Sequence, residues 1–160
     1  MEITPETVAT EHERLRADES VPELINETRD RLGPIFGVEV GHVSMEQYRS
    51  EVDAVFADGD IAVNVAALCG LLRDLDCVGD HPGFVVDEFL GRKLASTIAG
   101  GEPFALLAEA TFHFADVHTH GDPGDPAGGD DLDAALAAGF QTRLPGWDWV
   151  DEPSPFDSNR

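Results

Sequence analysis

The residues best suited to chemistry form a short run of histidines and aspartates in the last third of the chain. His113, Asp116, His118 and His120 follow one another closely, and Asp131 comes shortly after them. Imidazole nitrogens and carboxylate oxygens are good ligands for Zn²⁺ and similar divalent ions. In an extended segment, the two rings of a His-x-His pair also point to the same side. The pattern therefore predicts a divalent metal site, with Zn²⁺ as the first candidate cofactor.

The stretch from His118 to Leu136 resembles the JAMM metalloprotease motif, in which two histidines and a later aspartate hold zinc. His118 and His120 match the histidine pair, and Asp131 falls about where the third ligand belongs. The resemblance covers roughly 20 residues. It implies a metal-dependent hydrolase that uses these three side chains.

This sequence departs from that motif at two positions: Gly121 stands where the family has proline, and Gly128 where it has a serine. The family also needs a general base that deprotonates the metal-bound water. Glu88 is the one upstream candidate for this catalytic role. The competing interpretation is that the histidines are ordinary solvated or core residues, and the sequence leaves both open.

The charge balance excludes two classes of partner. The chain has 32 Asp and Glu residues against 10 Lys and Arg, a formal net charge of -22 at pH 7. Such a surface repels nucleic acid phosphates and anionic lipid headgroups, because binding either requires positive side chains. We therefore expect no nucleic acid partner and no membrane partner. The composition, with Lys93 as its single lysine, resembles that of proteins from halophilic archaea.

Neither the N-terminus nor the apolar stretches indicate export or membrane insertion. The first residues have no positive region followed by an apolar run, as a signal peptide would. The longest apolar stretch, 61–72, is shorter than the about 20 residues that span a bilayer. We therefore predict a cytoplasmic protein. Cys69, which lies inside that stretch, is expected to be a small buried apolar residue.

Hydrophobic periodicity and punctuation by glycine and proline predict an all-α fold. We expect one compact domain of six to seven helices over residues 1–145, with the segment 60–76 at its centre and the polar residues 1–18 docked loosely. Residues 146–160 are expected to form an extended or disordered acidic tail, which Trp147 and Trp149 anchor to the body or to a partner.

Capping residues locate most of the predicted helix ends. Thr4 before Pro5 marks the first start, and three further starts carry a polar cap: Ser20 with Glu23, Ser44 with Gln47, and Asp130. Gly33-Pro34, Gly59, Gly100-Gly101 and Gly139 mark stops. The segment from Thr111 to His120 fits two structures, because it continues a helical pattern and also alternates as a strand would.

Two functions remain open on these grounds. The first is non-catalytic: a small helical adaptor that binds a protein partner or a second copy of itself. The alternative is a metal-binding protein or metal-dependent hydrolase centred on His118, His120 and Asp131.

Overall fold

The structure, a computed structural model, describes residues 1–75, 83–118 and 127–146 of the chain. Over these ranges the protein is all-helical, which confirms the predicted fold class. The helices are α1 (Pro5–Ala17), α2 (Ser20–Phe36), α3 (Met45–Ala57), α4 (Gly59–Asp74), α5 (Val86–Ala99), α6 (Phe104–His118) and α7 (Ala127–Gln141). The predicted C-terminal tail, with Trp147 and Trp149, lies outside the described residues except for its first position.

Helix α7 lies at the centre of the molecule, where it contacts α2, α3, α4, α5 and α6. Its buried face consists mainly of small residues, so that neighbouring backbones approach closely: Ala134, Ala135, Ala137, Ala138 and Gly139. A Cβ atom at Gly139 would lie 2.9 Å from Cβ of Ile98 in α5. The helix predicted in the segment 60–76 is present as α4. The prediction that it is the central helix of the fold is wrong, because α7 occupies that place.

Helix α4 is buried on one side only. Ala62, Val65 and Leu72 face the core, whereas Val63 and Leu71 are each more than 40% exposed, at 46% and 43%. Hydrophobic residues around the whole circumference of a helix predict burial on several sides, but here some of them remain at the surface.

The polar helix α1 packs against α3 and α4. The Tyr48 hydroxyl donates a hydrogen bond to the carbonyl of Leu15 (2.7 Å), and both residues are fully buried. Buried Glu11 accepts two hydrogen bonds from the guanidinium of Arg73 in α4. These hydrogen bonds attach α1 to α3 and α4, although the polar sequence of residues 1–18 predicts loose docking.

Several predicted helix ends are confirmed and others are corrected. Thr4 and Ser44 cap α1 and α3 through their side chains. Ser20 does not cap α2, because its hydroxyl bonds to Asp18 (2.5 Å) and the N-cap residue is Glu19. Pro34 does not stop α2 but lies within its last turn. Helix α7 begins three residues before the predicted cap and ends two residues beyond the predicted stop.

The segment from Thr111 onward is helical as far as His118, so the strand alternative is wrong for that part. Ala108, Phe112 and Ala115 are fully buried, and their spacing of three and four residues places them on one face of α6. Packing of that face against α5 and α7 favours the helix over an isolated strand.

No single helix among the described residues has both the length and the apolar character needed to cross a membrane. The pair α3 and α4 passes the same test jointly, with a bend of 111° between the two helices.

Candidate functional site

Five carboxylates come together where the first turns of α5 and α7 meet the end of α6. We call them the carboxylate cluster: Asp87, Glu88, Asp116, Asp130 and Asp131. Gly91 brings the helices together, since a Cβ atom there would lie 2.6 Å from the ring of Phe112 in α6 and 3.5 Å from the Asp131 carbonyl oxygen in α7. The close approach of three helices, rather than sequence proximity, assembles the cluster.

Asp131 is the most buried member of the cluster. Its side chain hydrogen bonds to Asp87, and the residue is 5% exposed. Burial, this hydrogen bond and the neighbouring carboxylates raise the pKa of Asp131 to about 8. Asp131 therefore keeps its proton near neutral pH and can donate it to Asp87, because two ionised carboxylates cannot share a hydrogen bond.

Asp116 adds a second perturbed carboxyl group from α6. Burial raises the pKa of Asp116 above its ordinary value, and the negative charges of Glu88 and Asp87 raise it further. His113, one turn earlier on α6, opposes this rise. The C-terminal end of a helix carries partial negative charge and is also an unfavourable place for a carboxylate.

The structure brings together some of the sequence-predicted site residues and leaves others untested. Asp116, Asp131 and Glu88 belong to the carboxylate cluster, and the exposed His113 interacts with Asp116. His118 ends α6, but its side chain is not described, and His120 lies outside the described residues.

The sequence-based site omitted Asp87, the hydrogen-bond partner of Asp131. Its position in the first turn of α5 was a usable signal, because helix N-termini favour negative side chains and often face a neighbouring element. Oδ1 of Asp87 accepts a hydrogen bond from the backbone N–H of Glu88 (2.9 Å), one of the N–H groups in the first turn that have no partner within the helix. Only the docking of α7 on α5 places Asp131 beside it.

Glu88, the candidate general base of the hydrolase hypothesis, pairs with a basic side chain of its own helix. Its carboxylate lies 3.9 Å from the guanidinium of Arg92, one turn along α5. Within the described part of the chain, no group of three or more His, Cys, Asp and Glu side chains is arranged to hold a metal ion. The zinc hydrolase built on His118, His120 and Asp131 therefore stays a prediction.

Two other reactive side chains are engaged in the protein's own structure. Cys69 is fully buried in α4, as expected, and burial raises the pKa of its thiol well above the ordinary value. His12 stacks on the ring of Phe56 (centroids 4.7 Å apart) and contacts Asp53 (2.7 Å). These arrangements hold α1, α3 and α4 together.

The fold and the cluster define a small all-helical protein in which α5, α6 and α7 bring several carboxylates around the buried Asp131. Residues 1–160 match the family model described as "Domain of unknown function (DUF7984)", and the chain belongs to that family. No curated protein and no solved structure shows significant similarity to it.

Proposed function

We propose that this protein is a non-catalytic binding protein that contacts a protein partner through the start of α5. The observation that carries the proposal is an apolar surface that we call the α5 patch: Val85, Val86 and Phe89, which are 41%, 46% and 64% exposed. Side chains three and four residues apart on a helix are neighbours, so the three form one contiguous surface. Contiguous exposed apolar surface on a soluble domain is typical of interaction sites.

The chemistry around the α5 patch indicates what kind of partner would fit. Asp87 and Glu88 lie within the same turn, and both residues are partly exposed. An apolar centre with a charged rim is the common arrangement of protein interfaces. A matching surface would present an apolar pocket bordered by Lys or Arg.

The proposal extends to the setting in which the protein works. With 32 acidic against 10 basic residues, the chain carries enough like charge to need screening by salt. A salt-loaded cytoplasm, such as that of a halophilic archaeon, would supply it. The same charge argues against nucleic acid and anionic membranes as partners.

A photo-crosslinking experiment tests the binding surface. The photoreactive residue p-benzoylphenylalanine would replace Phe89 in one variant and Leu106 in another, since Leu106 is similarly exposed (60%) but lies on α6. We expect a discrete crosslinked product in native cells from position 89 and none from position 106. Mass spectrometry identifies the product as a partner or as a second copy of the chain.

A substitution in the same patch provides the second measurement. Phe89→Ala removes the whole ring and should weaken binding of the identified partner by about tenfold or more, because aromatic side chains that become buried in an interface dominate its energetics. Leu106→Ala is the matched control and should leave binding unchanged. Equal crosslinking at the two positions, or equal binding by the two alanine variants, would refute the proposal.

A further inference from the structure

One oxygen atom of the carboxylate cluster lacks a hydrogen-bond donor. Oδ1 of Asp131 is buried, and it has no partner among the described residues. The side chain is more than nine-tenths buried, and its carboxyl group lies inside the cluster, where it bonds to Asp87. A buried acceptor without a donor is costly, so a native protein normally satisfies it with water, a proton or an ion.

The groups around this oxygen have the charge that attracts a cation. Asp87 and Glu88 face Asp131 from α5, and Asp116 faces it from α6. The negative charge of each of these neighbours disfavours ionisation of Asp131. The basic side chain of Arg92 pairs with Glu88, and His113 acts on Asp116.

We propose that the carboxylate cluster binds a hydrated divalent cation, Mg²⁺ or Ca²⁺, directly through Asp131 and Asp87. The cation would take the place of the proton that the pair otherwise shares, and Oδ1 of Asp131 would gain the partner it lacks. Glu88 and Asp116 would contact the ion through its water molecules. This site shares Asp131 with the predicted zinc site, but its ligands are all oxygen atoms and it needs no histidine.

The proposed ligand class follows from the number and type of the donors. Carboxylate oxygens suit hard cations, whereas Zn²⁺ sites usually include nitrogen or sulfur. Mg²⁺ keeps several of its waters and is commonly bound by one or two carboxylates. Among the described residues, no three metal-binding side chains are arranged to hold an ion. A hydrated ion is compatible with this arrangement, because it needs only two protein ligands and takes the rest from water.

Thermal unfolding with added Mg²⁺ or Ca²⁺ tests the proposal. Ionic strength is held constant with NaCl, because a chain with net charge -22 responds to any salt through screening. A cation that binds the folded state raises the melting temperature in a saturable way. We expect this rise in the native protein, and isothermal titration calorimetry should show a binding event with the same concentration dependence.

Matched substitutions locate the site. Asp131→Asn and Asp87→Asn should each weaken cation binding by about tenfold or more, since each replaces a charged carboxylate ligand with a neutral amide. The control Asp74→Asn changes an exposed carboxylate at the end of α4 and should leave binding unchanged. Asp87→Asn also keeps the test valid should Asp131→Asn fail to fold.

Three outcomes would refute the proposal. The melting temperature could fail to respond to either ion at constant ionic strength. The response could be the same in Asp87→Asn as in the native protein. Asp74→Asn could also lose as much of the response as the cluster variants, which would indicate diffuse attraction by the whole acidic surface.

Discussion

Arg29 shows how a single residue joins distant parts of the chain. Its side chain is 1% exposed and donates hydrogen bonds to four backbone carbonyls. These belong to Gly41, Gln141, Leu144 and Pro145, so the guanidinium ties the loop after α2 to the end of α7. Burial lowers the pKa of Arg29 to about 10, which still leaves it charged at neutral pH. A cation at the C-terminal end of a helix also interacts favourably with the helix dipole.

Arg29→Lys should therefore destabilise the protein although it conserves the charge. An ammonium group cannot match the forked geometry of a guanidinium, and it would leave buried carbonyls without donors. We expect a loss of about 3 kcal/mol in the free energy of unfolding. Arg31→Lys, at an exposed position of the same helix, is the control and should change stability by less than about 0.5 kcal/mol. Urea denaturation measures both, and equal stability of the two variants would contradict this role.

Asp131 gives a prediction about pH at the same scale. Because its folded-state pKa is raised to about 8 from the ordinary 3.8, the folded state binds a proton that the unfolded state has already released. Its contribution to stability is complete below pH 4 and is lost as pH rises through about 8, by up to about 1.4 kcal/mol per pH unit between these values. Asp131→Asn should flatten this slope. Urea denaturation between pH 5 and pH 9, in EDTA at constant ionic strength, measures it; parallel slopes would show the prediction to be wrong.

At the scale of elements, two glycines of α7 have opposite roles. Gly139 faces α5, where an added Cβ would lie 2.9 Å from Ile98 and 3.0 Å from the Ala95 carbonyl oxygen. Gly129, in the first turn, has open space around it. The first glycine therefore permits close helix packing, whereas the second only lowers helix propensity.

Gly139→Ala should cost about 1–3 kcal/mol, because overpacking forces the two helices apart. Gly129→Ala should stabilise the protein by about 0.5–1 kcal/mol, since alanine restricts the unfolded chain and favours the helix. Chemical denaturation measures the free energy of unfolding of the two variants, which carry the same Gly→Ala change near opposite ends of α7. A stabilising effect at position 139 would mean that α5 and α7 do not pack as closely as described.

For the whole molecule, charge sets the conditions of stability. A net charge of -22 opposes a compact state unless counterions screen it. The screening length falls from about 10 Å at 0.1 M salt to about 3 Å at 1 M. Stability should therefore increase with salt over this range.

We expect the melting temperature to rise by roughly 4–8 °C between 0.1 M and 1 M NaCl, which corresponds to about 2 kcal/mol for a chain of this size. A variant with three exposed carboxylates neutralised, Glu13→Gln, Glu27→Gln and Asp74→Asn, should show a smaller rise. Differential scanning calorimetry measures both proteins. Greatest stability in salt-free water would contradict the charge argument.

Elements whose structure depends on residues close together in the sequence could be predicted, whereas those that depend on contacts between distant segments could not. Periodic apolar residues and the Ser44–Gln47 box were enough to predict α3, because both signals act within a few residues. The same logic failed at Ser20, whose hydroxyl bonds to Asp18 rather than to the helix it precedes. For α6, the local pattern allowed helix and strand alike, and contacts with α5 and α7 decided between them.

The sequence by itself determined the all-helical class, the acidic surface and the concentration of carboxylates near the end of α6, since these depend on composition and local periodicity. Tertiary structure alone decided that α7 is the central helix and that Asp87 meets Asp131. Both depend on how closely helices approach at Gly91 and Gly139, a distance set by packing between segments far apart in the chain. No local pattern encodes such a distance, because each helix forms the same backbone hydrogen bonds wherever it docks.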